Sequence, residues 1–197
     1  MPNSNTGERR RLEILQAAKT LFGKYGLKKT SLRDISKSLG LVKSAIYHYF
    51  SSKEDLFSEV IKHESDILFE KLNQEIDRYD SPVDQLKTYI LKRIEHIQQH
   101  VNLNNITKEA VEELFPMAIK VRSRFVDREK RLLEELIRRG IDAGMFKPKE
   151  PEILSVAIGS IIKGIETSFF LYRDRQMSRD DKDLILDILL NGIMYKK

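Results

Sequence analysis

Apolar residues recur at helical spacing along almost the whole chain, and this leaves little room for any fold but packed helices. Ile14, Ala18, Leu21, Phe22 and Tyr25 share one helical face, and Gly26 follows them as a stop. Val83, Leu86, Ile90, Ile94 and Ile97 form a second such stripe behind Pro82. Leu184, Ile185, Ile188, Leu189 and Ile193 form a third behind a capping Ser178. Strand-like alternation is essentially absent, and glycine and proline sit at the joints. The pattern predicts an all-α chain of about nine helices. Thr107 is read as the cap of a short helix to about Leu114, and Pro116 as the first residue of a long helix ending near Gly144.

The helices near the N-terminus are short and closely spaced. Ser31 with Asp34 three residues on makes a capping box ahead of Leu32, Ile35 and Leu39. Gly40-Leu41-Val42 is a tight turn containing glycine, and a helix over about Lys43 to Phe50 follows it. Two short helices joined in this way make a helix-turn-helix, whose second helix enters the major groove of DNA. Spacing places Val42, Ile46, Tyr49 and Phe50 inward. It places Lys43, Ser44, Tyr47 and His48 outward, where they offer a cation, a hydroxyl, a phenol and an imidazole to phosphates and base edges. Thr30 and Ser31 at the start of the preceding helix, and Lys53 at the start of the next, are expected to reach the phosphate backbone. Each has a plainer reading: Tyr47 as a packing aromatic, His48 as a solvated surface group, and Arg33 as the partner of a nearby acid such as Asp34.

Charge agrees with the motif. Residues 1–60 hold 11 Lys and Arg against 6 Asp and Glu, and the remainder holds 24 of each, so the net charge of +5 lies wholly in the first third. Such a distribution fits a polyanion-binding module joined to a neutral body. There is no cysteine, which excludes disulfides and thiolate metal sites. The polar, charged start from Met1 to Arg11 is unlike a secretory signal, and the longest apolar run, Ser155 to Tyr172, carries Lys163 and Glu166. A cytoplasmic protein that spans no membrane is the expectation.

The run Thr30-Ser31-Leu32-Arg33-Asp34-Ile35-Ser36, then Leu39 through Phe50 with its Ile46-Tyr47-His48-Tyr49-Phe50 core, then Ser52-Lys53-Glu54-Asp55-Leu56, resembles the TetR family of bacterial transcription regulators. The resemblance covers roughly residues 9–60. Ser36 stands where the family often has Ala, and Ala45 where it often has Gly. The resemblance implies a homodimer with one DNA-reading head per subunit, and repression of a palindromic operator relieved by a small ligand. It places Arg33, Lys43, Ala45, Tyr47 and His48 at positions facing DNA, and Thr30, Ser31 and Lys53 at backbone-contact positions. It implies a helix-turn-helix domain over residues 1–52 and a helical ligand-binding and dimerisation domain over 53–197.

The helix from about Pro151 to Tyr172 is apolar on more than one face and carries Gly159, Ser160 and Gly164. Such a helix needs cover on several sides, and pairing of the last two helices with those of a second subunit supplies it. Tyr89, Ile90, Arg93, Ile94 and Ile97, with Phe115, Met117, Val121, Phe125, Ile161, Ile165 and Phe169, are read as candidate lining for an apolar or amphipathic effector, with Arg93 set either against an acidic group of the effector or in a salt bridge with a helix neighbour. The same residues also read as ordinary core. No cofactor is called for. His96 and His100 have ligand spacing but lack a clear third ligand. There is no nucleophile elbow, P-loop or dinucleotide fingerprint, so an enzyme is not expected.

Overall fold

A computed structural model describes residues 4–103, 108–172 and 177–194, without the side chains of 4, 5, 99–103, 108–111, 115 and 170–172. The described residues form nine helices and no strand: α1 (Ser4–Lys29), α2 (Leu32–Ser38), α3 (Lys43–Tyr47), α4 (Lys53–Ile76), α5 (Pro82–Leu103), α6 (Lys108–Val121), α7 (Ser123–Asp142), α8 (Pro151–Tyr172) and α9 (Arg179–Ile193). Gly26 interrupts α1 at φ 80°, the stop its position predicted. Tyr25 beside it is exposed rather than buried, with the Lys24 ammonium over its ring.

Two compact units divide the chain. The first, the head, comprises Met1–Ser65 and Leu103–Ser123, and the second, the body, comprises Asp66–Asn102 and Arg124–Lys197. The motif-based boundary at 52/53 thus differs from the division by packing, which falls within α4 and brings α6 to the head. The reason is visible in the head's core. Ile14, Ala18, Phe22, Ile35, Ile46, Phe50, Leu56 and Phe57 are buried together, and Leu114, Met117 and Ala118 of α6 pack against them. The Lys28 backbone N–H donates to the Glu113 carboxylate at 2.8 Å, fastening α6 to the end of α1.

Around Pro116 the structure differs from the sequence reading. Pro116 lies inside α6, and the break falls after Val121, ahead of Ser123. An interior proline loses a hydrogen bond and crowds the preceding turn, yet α6 continues through it, with the flanking Leu114, Met117 and Ala118 packed against the head core. The expected cap at Thr107 lies outside the described residues.

The body has its own core. The predicted α5 stripe of Val83, Leu86, Ile90, Ile94 and Ile97 is buried throughout, against Leu133, Leu136 and Ile137 of α7, Ile158 and Ile162 of α8, and Leu186 and Leu190 of α9. Ser178 and Asp181 form the capping box that starts α9. Phe146, after α7, packs directly on Gly140, and the Lys147 N–H donates to the Ile193 carbonyl at 2.7 Å, tying this loop to the end of α9. None of the described helices is long and apolar enough to cross a membrane.

Candidate nucleic-acid interface and polar core of the body

The turn between α2 and α3 is held by backbone. The Leu41 N–H donates to the Ser36 carbonyl at 2.8 Å, and Gly40 takes φ 65°, a conformation that favours glycine. Ser36, where alanine is usual, is buried, and its hydroxyl donates to the Arg33 carbonyl at 2.9 Å, so the extra polar group is satisfied. The expected capping box is present: Ser31 Oγ accepts from the Asp34 N–H, and the Asp34 carboxylate accepts from the Ser31 N–H at 2.9 Å and hydroxyl at 2.6 Å. These Ser31 bonds hold the Asp34 carboxyl below its ordinary pKa. Arg33 is exposed, and with Lys37 it adds a smaller Coulombic pull on the Asp34 carboxyl.

Short as it is, α3 separates its faces cleanly. Ile46 and Phe50 are buried in the head core and Tyr49 is half-buried. Lys43, Ser44, Tyr47 and His48 are exposed, with Tyr47 49% exposed and the Lys43 ammonium 5.3 Å from its ring centroid. Ala45 is half-buried. Val42 departs from the expected inward set at 70% exposure. It is the N-cap in extended conformation, one residue before helical spacing begins to govern direction. Ser44, Tyr47 and His48 therefore project from an anchored helix without being needed for its packing.

Two of the residues expected at the DNA backbone have partners inside the head. Thr30 is buried, and its hydroxyl donates to the Gly26 carbonyl at 2.7 Å, closing the end of α1 rather than facing outward. Lys53 is half-buried, and its ammonium donates to the Leu27 carbonyl at 2.7 Å, pinning the start of α4 to the same corner. Lys37, one turn after Arg33 on exposed α2 surface, adds a cation that matching to the motif passed over. Its i, i+4 spacing from Arg33 carried the signal.

A family model described as bacterial regulatory proteins, tetR family, matches residues 14–60. The HTH-type transcriptional repressor KstR2 of Mycolicibacterium smegmatis is 32% identical over 142 residues, covering 71% of this chain and 68% of that protein. The chain belongs to the TetR family. It is a DNA-binding transcription regulator, and its family is one of regulators rather than enzymes. Solved structures of TetR-type architecture cover nearly all of it. The ketosteroid transcriptional regulator KstR2 of Mycobacterium tuberculosis matches with TM-score 0.62 and 24% identity over 95% of this chain and 96% of that one. The fatty acid degradation regulator FadR of Bacillus halodurans matches with TM-score 0.75 and 18% identity over 92% and 94%. Both show the fold.

The body of this TetR-family chain contains a buried polar cluster. Arg93 on α5 is 2% exposed; its Nε donates to Glu129 at 2.8 Å, and its Nη2 lies 3.5 Å from Glu166. Tyr89, one turn earlier, donates its hydroxyl to Glu129, and the Phe125 ring centroid lies 5.2 Å from the guanidinium carbon. Burial opposes the charge on Arg93, but the two carboxylates outweigh it and raise its pKa. Burial and Glu129 together push the Tyr89 phenol well up. Arg93 Nη1 is sealed from solvent with no hydrogen-bond partner. An unmet buried donor of this kind costs about 1–3 kcal/mol.

The candidate effector residues divide. Tyr89, Arg93, Ile97, Phe125 and Phe169 are buried in the body, and Ile165 packs at their edge. Met117 belongs to the head core instead, and Val121 to the head. Ile161 is 41% exposed, although Ile158 and Ile162 on the same helix are buried. The Phe115 and His100 side chains lie outside the described set, and His96 already has an interaction partner.

Proposed function

We propose that this TetR-family regulator is a cytoplasmic repressor that binds a palindromic operator as a homodimer and is released by a small apolar or amphipathic effector in the body. The observation that carries the reading is α3: Ile46 and Phe50 anchor it, while Lys43, Ser44, Tyr47 and His48 stay exposed. Arg33 and Lys43 supply phosphate or base contacts, Ser31 a backbone contact, and Tyr47 and His48 base-edge contacts.

Dimerisation is supported by a face that one chain leaves uncovered. On α8, Ile153, Val156, Ala157, Ser160, Ile161 and Gly164 are exposed at helical spacing, opposite the buried Ile158 and Ile162. On α9, Leu184 and Ile188 are exposed with Asn191 and Gly192, opposite Leu186 and Leu190. Apolar and small side chains in such seams suit a four-helix contact between two copies. The effector reading is supported by the polar cluster inside an otherwise apolar body. The solved relatives, described as regulators of ketosteroid and fatty acid chemistry, are consistent with an apolar effector.

Footprinting on the DNA upstream of the chain's own gene tests the whole reading. The expected result is a protected, two-fold symmetric, salt-sensitive site, lost on adding a solvent extract of the source cells. Protection without symmetry, or by an Ile188→Asp monomer equally well, refutes the dimer. Protection unmoved by the extract refutes release.

A further inference from the structure

We propose that Val42 reads the 5-methyl group of a thymine in the major groove, and so fixes an A·T pair of the operator that the polar residues of α3 do not specify. This rests on the reading that α3 enters that groove. Val42 is the N-cap of α3, extended at φ −81° and ψ 149°, with no side-chain bond to the helix end. Ser31 and Ser178, by contrast, cap α2 and α9, each hydroxyl accepting a backbone N–H. An extended backbone suits a β-branched residue, but threonine is β-branched too and would cap as well. Burial does not account for the valine either. Val42 is 70% exposed, the most exposed of the large apolar side chains described, whereas Leu41 before it and Ile46 one turn on serve the head core. The position thus forgoes both a cap and a buried contact, a departure from local preference that marks a functional position.

Chemistry says what this side chain meets. Lys43 and Ser44 beside it are exposed, and the first residues of a helix laid in the major groove lie against base edges. The valine side chain has no donor or acceptor. Set against guanine N7 and O6 or the cytosine amine, it would strip water from a polar group and return no hydrogen bond. The thymine methyl is the apolar group that base pairs present in this groove, and contact with it buries apolar surface on both partners. Discrimination by Val42 is therefore apolar and insensitive to salt, unlike a phosphate contact of Lys43.

The test uses the full-length protein and operator duplexes in which deoxyuridine replaces thymine one position at a time, which removes only the 5-methyl group. The operator is the footprinted segment upstream of the chain's own gene or, failing that, the duplex enriched from a random pool. Anisotropy titration gives the ratio of thymine to deoxyuridine affinity at each position. The parent is expected to lose about fourfold at one position of the half-site, the value of one buried methyl group. Val42→Ser, which adds a capping hydroxyl and removes the apolar contact, is expected to abolish that ratio and to keep the ratios at all other positions. Its thermal midpoint is expected at or above the parent's, because α3 gains a cap. No position sensitive to the methyl group, or an unchanged ratio in Val42→Ser, overturns the proposal while operator binding itself stands. A midpoint well below the parent's overturns it too, by showing that the valine serves the fold. No protected segment and no enriched duplex refutes sequence reading by α3, and this proposal with it.

Discussion

Replacing Tyr47 by alanine separates DNA reading from folding. The ring is 49% exposed and stands outside the buried core of the head. Its removal also frees the Lys43 ammonium, which sits 5.3 Å from the ring centroid in an exposed cation–π pair worth about 0.5–1 kcal/mol. Stability should therefore stay within about 1 kcal/mol of the parent. On DNA the balance is different. A well-placed base-edge contact supplies about 1–3 kcal/mol of discrimination, and a dimer forfeits it twice, or roughly 2–6 kcal/mol. Fluorescence anisotropy on operator and scrambled duplexes at several salt concentrations reads this directly. Operator affinity should fall toward the scrambled value, while the salt slope stays put because every phosphate contact remains. Lys43→Ala should do the converse, lowering both affinities and reducing the slope by about 0.9 per subunit. Parent-like discrimination by Tyr47→Ala would refute the assignment of this face to DNA.

Other consequences concern the scaffold. In Gly140→Ala the new Cβ falls 2.1 Å from the Phe146 ring, so denaturant unfolding should show a loss of about 1–3 kcal/mol, and no loss would mean Phe146 is not wedged there. Ser31→Ala removes the capping box of α2 and should cost about 1 kcal/mol. Because Ser31 depresses the Asp34 pKa, the contribution is present above the ordinary carboxylate range and fades as pH falls through the lowered folded value; Ser31→Ala should therefore flatten the acid limb of the stability curve. Tyr89 has a raised folded pKa, so its contribution is intact below the usual phenol value of about 10 and is lost above it, at up to about 1.4 kcal/mol per pH unit. Tyr89→Phe should remove that alkaline slope, and an identical slope in the variant would show the phenol titrates normally.

Periodicity made the helices legible where an amphipathic stripe faces a core, as α5 shows from Val83 to Ile97, whereas Leu184 and Ile188 of the α9 stripe are exposed. The α3 faces were legible for the same reason, except at Val42, which precedes the helix and escapes its spacing. The bonds of Thr30 and Lys53 inside the head were not legible, because a hydroxyl or ammonium at a helix start looks the same in sequence whether it meets a phosphate or a backbone carbonyl. Only the placement of Gly26 and Leu27 decides it. Arg93 was legible as a special residue, but its partners lie 36 and 73 positions along the chain, on helices whose register against α5 no local pattern encodes.

Met117 shows best how packing and chain order diverge. By sequence it lies between two body segments and reads as effector lining; by packing, α6 is part of the head. The chain enters α6 from the body at Leu103 and returns to the body after Ser123, so α6 is covalently continuous with the body at both ends. Under the proposed release, movement imposed on those ends acts on Leu114, Met117 and Ala118, and on the Glu113 bond to Lys28. Met117→Ala should then cost the head about 1–3 kcal/mol, less than a fully buried methionine because the side chain is half-buried. It should also weaken the link between effector occupancy and DNA release, while leaving effector affinity as in the parent. Calorimetry with effector and anisotropy with operator, run on one preparation, separate these outcomes. A drop in effector affinity with head stability unchanged would return Met117 to the effector site and take α6 out of the head core.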